Sequence, residues 1–264
     1  MKKDKVSIAR ETVKIIDDGY FMLDDQKISI KPELQHSLNN TRIYKPKQKL
    51  KIEVTQETTL SCCKRLIDEE EQNICALNFA SAVHPGGGFL RGAIAQEEHL
   101  CYNSGLYHCL KNNIDFYKVN IENSSALWTN HLIYSYGVPV FRNDNDDLIN
   151  PFYISFITSP APNTTQLTKE EESEVDNVLN ERISQILSVA AREGHRVLVL
   201  GSFGCGVFGN DPVKVARLFA LNLMFFKYAF DRVVFAIYSN GQNTTNFDIF
   251  SKILLEKDPD NAEV

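Results

Sequence analysis

Gln96 and two adjacent acids, Glu97 and Glu98, follow three consecutive glycines, Gly86, Gly87 and Gly88, after seven intervening residues in the stretch NFASAVHPGGGFLRGAIAQEEHL, residues 78 to 100. Glycine brings no side-chain chemistry and loses more backbone freedom on folding than any other residue, so three in a row imply that something approaches the main chain closely. A carboxylate beyond such a cradle can serve as general acid or base. Two plainer readings are a tight turn and N-terminal helix capping by acids, which the helix dipole favours. A turn needs one glycine, and it leaves Gln96-Glu97-Glu98 without a purpose. Successive helical side chains point about 100° apart, so two neighbouring glutamates cannot flank one bond as an opposed pair. One must aim at a reacting centre while the other holds a hydroxyl or the loop.

A second glycine loop, Gly204-Cys205-Gly206-Val207-Phe208-Gly209, spells G-x-G-x-x-G between a strand and a helix. Close-approach glycines with free N–H groups suit a diphosphate. A dinucleotide-binding fold would also place an acid at the tip of the next strand. Here Asp231 precedes that strand, whose far end is Ser239-Asn240, so nicotinamide chemistry does not follow. No G-x-x-x-x-G-K-[ST] occurs, which excludes a Walker loop. No helix-borne histidine pair or cysteine cluster offers a metal site, and a Cys-His nucleophile drawn from His99, His108, Cys101 and Cys109 rests on abundance alone.

Positioning these loops requires strands that end where helices begin. The spacing predicts a helix over residues 4 to 17, short strands at KISI and LKIEV, and an irregular connection at KPELQHSLNNTRIYKPKQK. A helix over TTLSCCKRLIDEEE, a buried strand at ICALNFA and a helix starting at QEEHLCYNSGLYHCL follow. HLIYSYGVPVF and FYISFITSP are β-rich, separated by an acidic stretch that reads as a solvated loop. Thr168 and Glu171 form a capping box for a long amphipathic helix stopped by Gly194. RVLVL and VVFAIYS are strands, with Asp211 and Pro212 opening the helix between them. Alternating β and α units imply a mostly parallel sheet between helices, with residues 1–56 as an accessory layer, 57–256 as the core domain and 257–264 as a frayed tail.

The 264 residues are 43% hydrophobic and 23% charged, enough for a large core. A net charge of -6 and a pI near 5.6 argue against a general nucleic-acid binder. No membrane-length apolar run or signal-like start is present, so a soluble, intracellular, monomeric protein is expected, cytoplasmic or nuclear. The six cysteines read as buried reduced thiols.

At Gly86-Gly87-Gly88, seven residues, Gln96-Glu97-Glu98, the sequence resembles the poly(ADP-ribose) glycohydrolases, whose signature is GGG, six to eight residues, then QEE. GSFGCGVFGNDP and VVFAIYS resemble the smaller bacterial-type members, and the likeness spans roughly residues 57 to 250. The resemblance implies a macrodomain fold with an N-terminal extension and cleavage of the ribose–ribose bond of poly(ADP-ribose), with no cofactor and no metal. It implies that Glu98 is the catalytic acid/base, that Glu97 steadies the distal ribose, and that Gly86, Gly87 and Gly88 line its approach. Gly204, Cys205, Gly206, Val207, Phe208 and Gly209 would wrap the diphosphate, with Phe208 against the neighbouring ribose and Asn78 near it. Phe89 and Gln96 complete the expected ligand-binding set, Phe89 by excluding water. The chain departs from the family at His84 and at Ser239-Asn240.

For one glutamate to act as acid and then base its pKa must rise, and Glu97 beside Glu98 together with water exclusion would push it upward against the helix dipole. The expected partners are ADP-ribose, its polymer and ADP-ribosylated proteins. Removal of mono-ADP-ribose from protein by the same pocket is the enzymatic alternative, and a non-catalytic ADP-ribose reader is the other. A reader would need no acid at position 98.

Overall fold

The computed structural model describes residues 4–30, 49–239, 241 and 243–255. The expected irregular connection and the frayed tail lie outside the described residues. The first helix, α1 (Lys5–Asp18), starts where the Asp4 carboxylate accepts the Ser7 amide, and it stops at Gly19 in a left-handed conformation. A small hairpin follows, β1 (Tyr20–Leu23) and β2 (Gln26–Ser29), and then β3 (Lys51–Thr55). Next come α2 (Thr59–Asp68), capped by Thr58, β4 (Ile74–Phe79), and three short helices, α3 (Gln96–Asn103), α4 (Leu106–Lys111) and α5 (Ile114–Glu122). The strands β5 (Ile133–Arg142) and β6 (Leu148–Ser159) form an antiparallel pair. The chain closes with α6 (Lys169–Glu172), α7 (Val175–Arg192), β7 (Val197–Leu200), α8 (Pro212–Phe225), β8 (Arg232–Ala236) and α9 (Thr245–Leu255).

The large sheet runs β3-β8-β7-β4-β6-β5, parallel throughout except for β5. Strands β4, β7 and β8 are buried almost along their whole length, as expected for parallel strands covered on both faces. One core packs Leu60, Leu66, Leu100 and Phe156 between the sheet, α2 and α3, and the other packs Leu179, Ile183, Phe219 and Phe235 beneath α7 and α8. Among the described residues no helix is long and apolar enough to cross a membrane.

Several expectations change with the tertiary structure. The sheet contains β3, so the boundary drawn after residue 56 would cut off an edge strand that pairs with β8. The helix expected from Gln96 through Leu110 breaks at Ser104-Gly105, because Ser104 bridges Val140 and the Gly105 amide donates to the Pro139 carbonyl (2.9 Å). The Thr168/Glu171 capping box caps only α6, and α7 starts afresh at Val175. The acidic turn between β5 and β6 is largely exposed, as expected of a solvated loop, and it also acts as a clasp. Asp144 accepts from Thr58 Oγ1 (2.8 Å) and Ser61 Oγ (2.6 Å) and pairs with His99 (3.1 Å), while Asp146 pairs with Lys5 (2.7 Å). Those hydrogen bonds outweigh burial and hold the Asp144 carboxyl down at about 2.

Candidate active site

Strands β4 and β7 are parallel neighbours at the centre of the sheet, and both glycine loops leave from their carboxyl ends, where ligands of open α/β sheets bind. The loops share a floor. Phe79 at the end of β4 packs on Phe203 with ring centroids 6.0 Å apart, and a Cβ at Gly201 would lie 2.8 Å from the Phe79 ring.

The first loop is a chain of tight turns. Gly87 N donates to His84 O (2.9 Å), Phe89 N to Gly86 O (3.0 Å) and Ala93 N to Gly88 O (3.2 Å). All three glycines are required by what surrounds them. Gly87 has φ +59°, and a Cβ there would collide with Glu98 Oε1 and sit 3.2 Å from Glu97 Oε2. A Cβ on Gly88 would lie 2.6 Å from that of Ala93, and one on Gly86 3.0 Å from Tyr107. The triple glycine thus lets the backbone pass against two carboxylates, which a single-glycine turn could not do.

Glu98, nearly buried, holds the loop. Its Oε1 accepts the Gly88 amide (2.7 Å), and its Oε2 accepts the Ala95 amide (3.1 Å) as an N3 carboxylate of α3. Glu97 points elsewhere, accepting from the Ser81 amide (2.8 Å) and from Asn78 Nδ2 (3.1 Å). The two glutamates therefore diverge, as adjacent helical side chains must. Burial pushes the Glu97 carboxyl up to about 8; the Ser81 and Asn78 hydrogen bonds oppose this, and the Glu98 charge adds to it. Glu97 is the acid lying deeper against β4.

Several residues of the expected ligand-binding set also bond within the protein. Asn78 is fully buried, and its Nδ2 bridges Glu97 and Thr158 Oγ1 (both 3.1 Å), so it aligns Glu97, while its Oδ1 has no partner among the described residues. Gln96 accepts the Phe79 amide (2.9 Å) and donates to Leu77 O (2.8 Å) and Thr59 Oγ1 (3.2 Å), pinning the first turn of α3 to β4 and α2. Phe89 does not line the opening. Its ring is buried behind the loop, 5.0 Å from the Tyr102 centroid and 4.8 Å from that of Tyr107, because apolar area gains more in the core than at a wet mouth.

The second loop is stiffened from below. Gly204 has φ +74° against Ala161 and Asn210, and Asn210 Nδ2 donates to Pro162 O (2.7 Å) and Gly204 O (3.1 Å). Gly209 N donates to Gly206 O (3.0 Å), and the Phe208 carbonyl accepts from both the amide (2.9 Å) and the hydroxyl (2.8 Å) of Thr164. The amides of Gly206, Val207 and Phe208 donate no hydrogen bond among the described residues, and Val207 is 85% exposed. Three successive amides are thus left open beside the N-terminus of α8, which Asp211 caps through Val213 N (2.8 Å). Burial pushes the Cys205 thiol up to about 12, which leaves it no nucleophile. Ser81, Thr158, Thr164, Asn210 and Tyr102 were missed by sequence reasoning. Only Tyr102 left a signal there, lying four residues after Glu98 and so on the same helical face.

A mostly parallel six-stranded sheet with two glycine loops on adjacent strand ends, one against a buried pair of acids and one with open amides, defines a macrodomain-like protein. The family model for the catalytic domain of microbial-type PARG, the poly(ADP-ribose) glycohydrolases, matches residues 9–143. A crystal structure of poly(ADP-ribose) glycohydrolase from Thermomonospora curvata is similar with a TM-score of 0.85 and 38% identity, over 94% of this chain and 98% of that one. The same enzyme bound to the inhibitor ADP-HPD gives 0.84 and 40% over the same shares. The Deinococcus radiodurans enzyme in complex with ADP-ribose gives 0.74 and 44%, over 78% of this chain and 84% of that one. No curated protein sequence matches. The chain belongs to the microbial-type poly(ADP-ribose) glycohydrolases.

Proposed function

We propose that the protein releases ADP-ribose from poly(ADP-ribose), including polymer carried on proteins, and that Glu98 is the acid/base of the reaction. The observation that carries this is the Glu98 carboxylate held against the glycine loop by Gly88 N and Ala95 N at the end of β4. With the diphosphate on the amides of residues 206 to 208, the adjacent ribose is directed across the shared floor toward that carboxyl group. Glu98 protonates the oxygen that departs from the anomeric carbon as an oxocarbenium-like state develops, and the resulting carboxylate then takes a proton from the attacking water. Glu97 orients the ribose hydroxyls from beneath. Its two partners in the structure are both donors, so near neutral pH its protonated carboxyl has a hydrogen bond to give to a hydroxyl.

The test is release of ADP-ribose from polymer by the wild type and by Glu98→Gln, with calorimetric binding of ADP-ribose to both. Loss of a general acid costs on the order of 10² to 10⁴ in rate, so Glu98→Gln should bind yet turn over at least a hundredfold more slowly. Polymer left intact by the wild type, with release from mono-ADP-ribosylated protein, would move the assignment to the mono-ADP-ribosyl reaction. Full activity in Glu98→Gln would remove Glu98 from the role.

A further inference from the structure

Residues 88 to 95 link the glycines to α3 with a single 3-10 turn, Phe89–Arg91, as their regular structure, and their remaining backbone polar groups need partners. Glu98 takes two of the amides. One helical turn later on the same face, the Tyr102 hydroxyl lies 3.0 Å from the Phe89 carbonyl and 2.9 Å from the Ala93 carbonyl, so its single proton serves both. Loop and helix are therefore gripped reciprocally, amides by the carboxylate and carbonyls by the phenol. Tyr102 is only 1% exposed and does not reach the opening. Behind it stands α1. The Thr12 hydroxyl donates to the Tyr102 carbonyl (2.8 Å), Lys5 Nζ lies 5.0 Å from the centre of the Tyr102 ring, and a Cβ on Gly92 would lie 3.2 Å from Val6 Cγ2. Lys5 is itself held by Asp146 of the β5–β6 turn, whose Asp144 reaches His99 on α3.

We propose that Tyr102 is a positioning residue that sets the glycine loop, and through it the Glu98 carboxyl, for turnover, and that α1 is the brace holding Tyr102 in place. This rests on the reading of Glu98 as acid/base. A loop displaced by an ångström shifts the carboxyl relative to the departing oxygen while leaving the diphosphate cradle on the neighbouring strand untouched.

The test is Tyr102→Phe beside Glu98→Gln, measuring kcat on polymer, ADP-ribose affinity, thermal midpoint and amide exchange of residues 86 to 95. Tyr102→Phe should lower kcat on the order of tenfold to a hundredfold with affinity unchanged and exchange faster in that loop alone. In the Glu98→Gln background it should cost little further rate, since the group being positioned is gone. Unchanged kcat, or parallel losses of kcat, affinity and melting temperature, would overturn the proposal. Activity surviving in Glu98→Gln would instead strike the acid/base reading. Should Tyr102→Phe not fold, Thr12→Val decides the same question through the bond behind Tyr102.

Discussion

Gly87 shows how one residue is chosen by two neighbours. Its left-handed backbone costs an L-residue about 1 to 2 kcal/mol, and the space a Cβ would need is already filled by carboxylate oxygens. Gly87→Ala should therefore lower the unfolding midpoint and depress turnover more than ADP-ribose affinity, because what it displaces is the glutamate pair. Glu97 carries a pH signature. A carboxyl whose folded pKa lies at about 8, above its ordinary 4.5, binds a proton that the unfolded chain releases, so its contribution to stability is full below 4.5 and is lost as pH rises through about 8. Urea denaturation between about pH 5 and pH 9 should show the wild type losing stability relative to Glu97→Gln as pH increases. A constant difference across that range would mean that Glu97 is ionised in the folded protein.

At the scale of elements, each loop is held by one amide side chain that spans two segments. Gln96 fastens α3 to β4, and Asn210 fastens the second glycine loop to the segment after β6. Asn210→Ala leaves the Pro162 carbonyl without its donor and loosens the Gly204 turn, so ADP-ribose should bind more weakly while kcat on saturating polymer changes less. Calorimetry and steady-state kinetics on the same preparation check this split. Gln96→Ala acts on the other loop and should show the opposite pattern, a fall in kcat with affinity largely kept. The separation follows from the topology, since Glu98 on α3 follows β4 and the open amides of residues 206 to 208 follow β7.

At the scale of the whole molecule, Arg182 of α7 is completely buried, and burial lowers its pKa to about 10. Its guanidinium donates to Pro160 O (2.7 Å), Leu127 O (3.1 Å) and Asn130 Oδ1 (3.0 Å), joining the long helix to the ends of both antiparallel strands. Arg182→Leu should cost about 3 kcal/mol, because several buried acceptors lose their donor at once, and denaturant unfolding would read it directly. The sequence alone carried the strand–loop–helix rhythm, the parallel sheet, both glycine loops, and the roles that a GGG…QEE signature implies for Glu97 and Glu98. Local rules suffice for these, since burial periodicity, caps such as Asp4 and Asp211, and glycine clusters act within a few residues of one another. Only the tertiary structure decided that Phe89 serves the protein's interior, that Glu97 is the more deeply buried acid, and that the acidic turn at Asp144 and Asp146 grips α1, α2 and α3. It alone put Tyr102, Thr164 and Asn210 against the two loops. Each of these depends on partners between 9 and 141 positions away in the chain, and desolvation or a hydrogen bond at such range is set by packing, which no local pattern encodes.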